Sequence, residues 1–356
     1  MEGVTQVTNT RSEWLVERSK SLGGSDAPNI LSGQIPIDFE HKFGSLHQIW
    51  ASKAPVMERY GLELPPEKND PKKHRRLIQG SKSERYCREY VGQANGVIAS
   101  ECFQDLYRRG DFPFLHGSID GELHSDGRVI GLEIKTIGSN GEWWRDGVPF
   151  RVELQSRHNW FCRPTLDEFM VVAFKADEAI WDAVIAEAMT VSDGVEKGLI
   201  RYGQWMLDPS DFYEAECVPV LERFWQKNVV EGDVPMADGT DECKKVIGDI
   251  YKDADAETVI SPELKKVLSQ KREVDERYKE VKKEKQRIRN ELSRILGPNK
   301  RASDDEEYIY RTLVEKDEFD PVALLRDRPE LEDIYRRRST YTRLTVSRRS
   351  SDKRKK

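Results

Sequence analysis

Two oppositely charged side chains interrupt a short apolar stretch, GLEIKT, at residues 131–136. The apolar and β-branched residues of this stretch favour a strand. Side chains alternate between faces along a strand, so Glu133 and Lys135 project from the same face. A carboxylate beside an ammonium group can hold a cation and orient a water molecule. It can also be a salt bridge on a solvent-facing strand, and isolated Glu-x-Lys triplets more often have that meaning.

The turn before this strand adds a second carboxylate. Asp126-Gly127 is a strong two-residue hairpin signal. With these residues as the turn, the strand register puts Asp120 across from Glu133, with about 5 Å between their Cβ atoms. Like charges at that separation repel each other, and a divalent cation relieves the repulsion. Mg²⁺ prefers one or two carboxylates together with water and phosphate, so the pattern fits metal-assisted hydrolysis of a phosphodiester. A cross-strand salt-bridge cluster of Lys135 with Glu133 or Asp120 is an equally good interpretation of these residues alone.

Composition and length restrict the class of protein. The chain has 356 residues, 37% of them apolar and 34% charged, which indicates a soluble protein with one large domain or two domains. It contains no apolar run of about 18 residues, as a membrane helix needs, and its N-terminus lacks a secretory signal pattern. We therefore expect a cytoplasmic protein without a membrane partner. The five cysteines form no CxxC pair, which favours buried, reduced thiols over a zinc ribbon, a disulfide framework or an iron–sulfur cluster.

Charge is distributed unevenly along the chain. The net charge is −6, from 58 basic and 64 acidic residues, yet residues 336–356 contain ten Lys or Arg and one acid. The first 335 residues thus carry 48 basic and 63 acidic side chains, a net charge of −15. This excludes a protein coated with basic patches, so nucleic-acid binding would use a local groove, a basic tail or a metal site. The KKHRR run at 72–76 is by default a solvated charge run, with contact to a DNA backbone as the alternative.

Hydrophobic periodicity and turn residues predict a mixture of helices and strands. We expect a loop at 61–76, a hairpin within 112–137 and a strand at 168–176. The predicted helical segments are 12–32 (two helices around a glycine turn), 45–53, a helix from Gly80, 151–162, 178–188 and 209–229. This pattern predicts an α/β or α+β fold with a mixed central sheet flanked by helices.

A long basic helix is predicted at 261–296, with Ser261 as its cap and Pro262 at its first position. Apolar residues recur along this helix at heptad spacing and form a seam, but lysine occupies two positions of the seam. Packing on one partner helix or on the protein body is therefore favoured over a long homodimeric coiled coil. The seam consists of Leu264, Val267, Val274, Tyr278, Val281, Ile288, Leu292 and Ile295. We expect a core at 1–255, this helical extension at 256–300, a strand–helix–strand segment at 301–346 and a disordered basic tail at 347–356.

Five motifs in order resemble one nuclease family. SIDGELHSDGRVIGLEIKT resembles the PD-(D/E)xK nuclease motif, and the region of about 12–240 resembles the lambda-exonuclease-like (YqaJ) viral recombinases of bacteriophages. The other motifs that carry the resemblance are WLVERSKSLGGSDAPNIL, GSKSE, PFLHGSIDG and VPFRVELQSRH, and the segment FDPVALLRDRPELEDIYRRRSTYTRLTV resembles the C-terminal part of many phage members. Two departures are Ile119, where the motif name has Pro, and Arg157, where relatives often carry a second Gln.

The resemblance implies a restriction-endonuclease-like core and a role for each motif residue. Asp120, Glu133 and the carbonyl of Ile134 would bind Mg²⁺, with Mn²⁺ as a substitute, and Lys135 would position the attacking water. Glu84 would join them from a helix, with an exposed Glu84–Arg88 pair as the alternative. Gln155 would hydrogen-bond the catalytic lysine or the water, with a surface amide as the alternative.

Arg18 and Ser25 would bind a terminal 5′-phosphate. The residue types suit this role, because Gly23-Gly24 permit a tight turn, Arg18 offers a bidentate donor, and we expect Ser25 to open a helix whose amides attract an anion. The alternative is that Ser25 or Asp26 is an ordinary helix N-cap.

The resemblance further implies an exonuclease that degrades linear double-stranded DNA 5′→3′ and leaves 3′ single-stranded tails for phage recombination. The family also implies a ring-shaped homo-oligomer, often a trimer, a single-strand annealing protein as partner, and the cytoplasm of an infected bacterium as location. Two alternatives remain open: a PD-(D/E)xK endonuclease, and a non-catalytic DNA-binding or assembly module of the same fold.

Overall fold

A five-stranded mixed sheet organises residues 1–252, the first of two units into which the chain divides. The structure is a computed structural model that describes residues 3–6, 11–40, 44–63, 71–102, 105–252, 259–299, 301–303, 308–310 and 328. In order across the sheet, the strands are β3 (Ala99–Ser100), β6 (Gly121–Ser125), β7 (Arg128–Ile137), β8 (Glu168–Lys175) and β9 (Arg201–Met206). Strands β7 and β8 are parallel and the other pairs antiparallel, so the predicted mixed α/β fold is confirmed.

Two helices cover the two faces of this sheet. Helix α5 (Pro71–Ala94) packs on the face that carries Leu132 and Ile134, and helix α6 (Phe150–Cys162) packs on the opposite face. Alternate residues of β8 enter each of these two hydrophobic cores, which is why the strand reads as a continuous apolar run. The odd-numbered residues of β7, including Glu133 and Lys135, therefore face α6.

A third core joins the N-terminal part of the unit to its last helices. It contains α2 (Ala27–Leu31), α3 (Leu46–Ala51) and α4 (Ala54–Tyr60), which follow α1 (Arg11–Ser19). A continuous helical segment packs on them, with α9 (Val218–Phe224) between π-helical turns Tyr213–Cys217 and Trp225–Val230. The remaining elements of this unit are α7 (Glu178–Ile185), α8 (Val191–Glu196), α10 (Asp241–Ile250), and two strand pairs, β1 (Gly3–Gln6) with β4 (Asp105–Arg108) and β2 (Leu22–Gly23) with β5 (Leu115–His116).

The second unit contains α11 (Pro262–Leu296) and the pair β10 (Arg301–Ser303) with β11 (Tyr308–Tyr310). The predicted cap is confirmed, because the Ser261 hydroxyl accepts a hydrogen bond of 3.1 Å from the Leu264 amide. The apolar seam of α11 is solvent-exposed, with Val274 at 53% and Val281 at 64% exposure. Most of the expected strand–helix–strand segment and the whole basic tail lie outside the described residues.

Several element boundaries differ from the sequence prediction. Helix α5 begins at Pro71 rather than near Gly80, so the loop expected at 61–76 is too long; the prolines and the basic run there obscured its first turns. Strand β9 was not predicted, because it lies at the sheet edge with half-exposed residues and Gly203 at its middle. No described helix combines the length and apolar character required to cross a bilayer.

Candidate active site

The hairpin turn sets the position of the two strand carboxylates. Asp126 and Gly127 both have positive φ, 51° and 77°, as a type I′ turn requires. The β6–β7 ladder runs from this turn to the pair Gly121–Leu132. Asp120 lies one residue beyond this ladder, and its amide donates a 3.0 Å hydrogen bond to the Leu132 carbonyl, so it lies next to the strand segment that carries Glu133.

Asp120 is held by two backbone contacts. Its Oδ2 accepts a 2.6 Å hydrogen bond from the Ile134 amide, and its carbonyl accepts one of 2.9 Å from Arg88 Nη1. Burial and the nearby Glu133 and Glu84 carboxylates raise the pKa of Asp120 well above its usual range, although Lys135 and the Ile134 amide oppose them. A cation bound here would relieve this repulsion.

Glu133 is a buried carboxylate with three side-chain donors. It is 1% exposed, and its Oε1 accepts from Lys135 Nζ and, at 2.7 Å, from Gln155 Nε2. Its Oε2 accepts a 3.0 Å hydrogen bond from Asn159 Nδ2. Gln155 thus donates to Glu133 itself, whereas the sequence-based expectation was a bond to the lysine or to water.

Lys135 is a cation in this environment. Burial disfavours its charged form, but Glu133 and Asp120 outweigh burial, so the pKa of Lys135 is raised. A lysine with a raised pKa donates hydrogen bonds and offers positive charge near neutral pH, and it does not accept a proton as a general base.

Glu84 approaches the same group from α5. Its carboxylate lies 3.6 Å from Arg88 Nη1, one helical turn on, which is the pair that we considered as the alternative. Burial raises the pKa of Glu84, and Glu133 adds to the rise while Arg88 and Lys135 oppose it. Glu84 also lines the same cleft as Asp120, so its pairing with Arg88 does not remove it from the acidic group.

The three carboxylates do not converge on one point. Within the described part of the chain, a different set of side chains is the one that brings three potential ligand atoms within 4.8 Å of one another. Hydrogen bonds direct Asp120 to the Ile134 amide and Glu133 to α6. The donor set still suits Mg²⁺, because this ion commonly takes only one or two carboxylates and completes its shell with water and phosphate.

Arg18 and Ser25 lie together beside this cluster. Arg18 Nη2 donates a 2.9 Å hydrogen bond to Ser25 Oγ, and its guanidinium lies over the Trp14 ring at 4.5 Å. The expectation that Ser25 opens a helix was wrong, because α2 begins at Ala27 and has only five residues. An anion at this place would therefore be bound by the two side chains rather than by a helix N-terminus.

The neighbouring Asp26 is not a conventional cap either. It occupies the position before α2 without a side-chain cap bond. Its Oδ2 instead accepts from the Gly23 amide at 3.0 Å and from Lys53 Nζ at 2.7 Å. This pairing fixes the turn that presents Ser25.

One cleft of about 540 Å³ joins the two groups of residues. Arg18, Ser25, Glu84, Asp120 and Gln155 all line it, and Gln155 and Lys135 both donate a hydrogen bond to Glu133. The cleft wall also includes the basic side chains of Lys82, Arg85 and Arg88. The cleft thus combines carboxylates that suit a cation with basic groups that suit an anion.

The sequence did not reveal Asn159, and it gave Arg88 only as a possible partner of Glu84. Asn159 is four residues after Gln155 and therefore lies on the same helix face, a spacing that could have revealed it. Arg88 has 7% side-chain exposure and contacts Glu84, the Asp120 carbonyl and, at 3.0 Å, Glu101. Of the KKHRR run, Arg75 pairs with Glu178 at 3.1 Å and Asp182 at 2.6 Å on α7, which fits a solvated charge run.

Comparison with known proteins gives only remote structural similarity. No protein-family model matches the sequence, and no curated protein matches it. The fold is similar to the crystal structure of an alkaline exonuclease (LHK-Exo) from Laribacter hongkongensis, with a TM-score of 0.42 and 14% identity over 62% of this chain and 93% of that chain. LHK-Exo in complex with dAMP gives a TM-score of 0.41 and 13% identity with the same coverage.

Proposed function

We propose that the protein is a divalent-metal-dependent deoxyribonuclease, and more narrowly an exonuclease that degrades linear double-stranded DNA in the 5′→3′ direction. The observation that carries the proposal is the cleft in which an acidic cluster, backed by the Glu133–Lys135 pair, lies beside the bonded pair Arg18 and Ser25. The ordered sequence motifs supply the same residues independently. A surface salt bridge does not account for a buried Glu133 with three donors.

Asp120, Glu133 and the carbonyl of Ile134 would hold Mg²⁺ or Mn²⁺, with Glu84 as a further carboxylate. The raised pKa values of Asp120 and Glu84, which burial causes and the neighbouring acids reinforce, are what a cluster of uncompensated acids produces. When bound, the cation would polarise the attacking water and neutralise charge on the phosphodiester.

The chain's own residues would do the remaining work. Lys135, as an ammonium group, would stabilise negative charge that develops on the phosphate oxygens and orient the water by donating a hydrogen bond. Gln155 and Asn159 hold the Glu133 carboxylate in place, which keeps the lysine oriented. Arg88 anchors the Asp120 main chain.

Arg18 and Ser25 would bind the phosphate at a DNA end. A guanidinium and a hydroxyl at hydrogen-bond distance from each other can both donate to one phosphate group. A site for a terminal 5′-phosphate beside the cleavage site would give the enzyme its 5′→3′ polarity and restrict it to ends.

The biological setting is proposed from the family resemblance. It implies 3′ single-stranded tails for recombination by annealing in a phage-infected bacterium, a homo-oligomeric ring and a single-strand annealing protein as partner. The exposed apolar seam of α11 is a surface that association could cover.

A comparison of DNA substrates tests the proposal. We expect Mg²⁺-dependent release of nucleotides from linear duplex and no cutting of covalently closed circles. Cutting of closed circles would support the endonuclease alternative instead, and the absence of cleavage of either substrate would support the non-catalytic module. Ends with and without a 5′-phosphate should be degraded at different rates, and equal rates in the wild type would contradict the role of Arg18 and Ser25.

A further inference from the structure

A second group of potential metal ligands lies between α3 and α10, outside the residues that line the cleft. His47, Asp238 and Cys243 each offer one ligand atom, and these three atoms lie within 4.8 Å of one another. His47 is fully buried, Cys243 is 2% exposed, and Asp238 is exposed to solvent. Imidazole and thiolate ligands favour zinc, whereas the carboxylates of the cleft favour magnesium.

His47 is the observation that points to a ligand. Both of its ring nitrogens are buried without a hydrogen-bond partner within the described part of the chain. Buried polar groups almost always have a partner, and an unpaired one is unfavourable. A neutral imidazole whose nitrogen lies near a thiol and a carboxylate gains that missing partner if a cation binds between them.

Asp238 is held in place by residues next to the other two ligands. Ser45 Oγ donates a 2.8 Å hydrogen bond to Asp238 Oδ2 and accepts one of 3.2 Å from the His47 amide. Thr240 donates its amide at 2.9 Å, and also its hydroxyl, to Asp238 Oδ1. The Thr240 hydroxyl in turn accepts a 3.1 Å hydrogen bond from the Cys243 amide.

Capping alone accounts for part of this arrangement. Ser45 is the N-cap of α3 and Thr240 the N-cap of α10, and the Asp238–Thr240 contact is a local turn. None of these bonds provides a partner for the His47 imidazole. Hydrogen bonds to a carboxylate are, however, what fixes a ligating carboxylate around a metal ion.

We propose that His47, Asp238 and Cys243 bind a Zn²⁺ ion, with solvent in the fourth position on the exposed side of Asp238. Zinc bonds to nitrogen, oxygen and sulfur are about 2.0–2.3 Å long, so ligand atoms within 4.8 Å need only a small inward movement. Cys243 would bind as the thiolate, so binding of the cation releases the thiol proton. The ion would tie α3 to α10, whose contact at Ser45 and Asp238 spans 193 residues.

Metal analysis of the purified full-length chain tests this proposal. After incubation with Zn²⁺ and removal of unbound ion, we expect about one zinc per chain by mass spectrometry. Co²⁺ in place of zinc should give a thiolate-to-cobalt charge-transfer band. Cys243→Ser should lose the band, and His47→Gln should no longer retain about one zinc per chain. Asp238→Asn, whose Oδ1 can still accept from Thr240 and whose amide nitrogen can donate to Ser45 Oγ, should bind zinc at least about 10-fold more weakly.

Two controls separate this site from other causes. Cys217→Ser changes another buried cysteine, in the core that α3 shares, and should keep the zinc and the band. Glu133→Gln should also keep them, so a failure of the proposed nuclease site would not affect the result. Wild-type protein that binds no zinc and gives no cobalt band would overturn the proposal, whether or not any variant folds. So would a folded Cys243→Ser protein, judged by circular dichroism, that retains both.

Discussion

The charge state of Lys135 decides what the candidate active site can do. Its pKa is raised because Glu133 and Asp120 outweigh the effect of burial, so it remains an ammonium group at neutral pH. The pKa values of Asp120 and Glu84 are also raised, by burial first and by neighbouring carboxylates, and for an acid this favours the neutral form. The cluster therefore combines a positively charged hydrogen-bond donor, Lys135, with acids that would lose their protons when a cation binds. Metal-assisted hydrolysis requires groups of both kinds.

Replacement of Asp120 should weaken cation binding without lowering the stability of the metal-free protein. Asp120→Asn removes a carboxyl group whose pKa is raised by burial and by neighbouring carboxylates, while its amide oxygen can still accept from Ile134. We expect the variant without Mg²⁺ to be at least as stable as the wild type near neutral pH. The wild type should gain about 2.7 kcal/mol when Mg²⁺ reaches 100 times its Kd, and the variant much less.

Thermal unfolding with and without Mg²⁺ measures this difference. Asp126→Asn is the matched control, because Asn-Gly also forms a type I′ turn and residue 126 lies at the far end of the strand. An equal Mg²⁺-induced rise in Tm for wild type and Asp120→Asn would show that Asp120 does not hold the cation.

The buried histidines should make the fold sensitive to acid. Burial lowers the pKa of His158 from 6.5 to about 4, and its ring nitrogens contact the Tyr213 hydroxyl at 2.6 Å and the His116 carbonyl at 2.9 Å. The unfolded chain binds a proton at this residue below pH 6.5 and the folded chain does not. The free energy of unfolding should thus fall with decreasing pH between 6.5 and 4, by up to about 1.4 kcal/mol per pH unit from His158.

Urea unfolding at several pH values checks this slope. His158→Gln should be less stable at pH 7 but lose stability less steeply toward acid, whereas the exposed His124→Gln should keep the wild-type slope. Identical slopes for wild type and His158→Gln would contradict the assignment of His158 as a neutral buried group.

Helix α6 connects the parts of the proposed site. Gln155 and Asn159 donate to Glu133 from one face, and the same helix contacts the glycine turn before Ser25. A Cβ added at Gly24 would lie 2.5 Å from Asn159 Oδ1 and 3.1 Å from the Gln155 carbonyl. The turn that presents Ser25 can approach the helix this closely only because residue 24 has no side chain.

Gly24→Ala should therefore impair activity as well as stability. We expect a destabilisation of about 1–3 kcal/mol from overpacking, together with a fall in the rate of DNA hydrolysis in protein that is still folded, because Asn159 must move away from Glu133. Gly110→Ala is the control, since a Cβ there meets no atom within 4 Å. A Gly24→Ala protein that is destabilised but hydrolyses DNA at the wild-type rate at low temperature would show that the turn does not affect the active site.

Motifs of residues adjacent in sequence predicted much of this architecture. Contacts between residues far apart in sequence could not be predicted. Asp126-Gly127 fixed the hairpin and its register as far as the pair Gly121–Leu132, because a two-residue turn determines register. Arg88 was missed as a partner of the Asp120 carbonyl, since nothing in the order of residues brings α5 to that strand. The His47–Cys243 contact is harder still, because ligands on two distant helices leave no spacing pattern that could be recognised.

The arrangement of the first unit brings carboxylates and basic side chains together in one cleft. Asp120 lies just before β6, α5 contributes Glu84 and Arg88, and the turn before α2 places Ser25 against Arg18 of α1. These side chains come from several elements that are far apart in sequence, so the cleft exists only in the folded unit. The α11 helix of the second unit adds an exposed apolar seam, which suits association rather than chemistry.

The most direct measurement of the central claim is the Mg²⁺-dependent degradation of end-labelled linear duplex DNA by wild type, Lys135→Met and Glu133→Gln. We predict that both variants lose about 10²–10³-fold or more in rate, while Lys197→Met, which changes an exposed lysine, keeps the wild-type rate. Circular dichroism establishes that the variants are folded. Degradation by Lys135→Met at the wild-type rate would contradict the proposed active site.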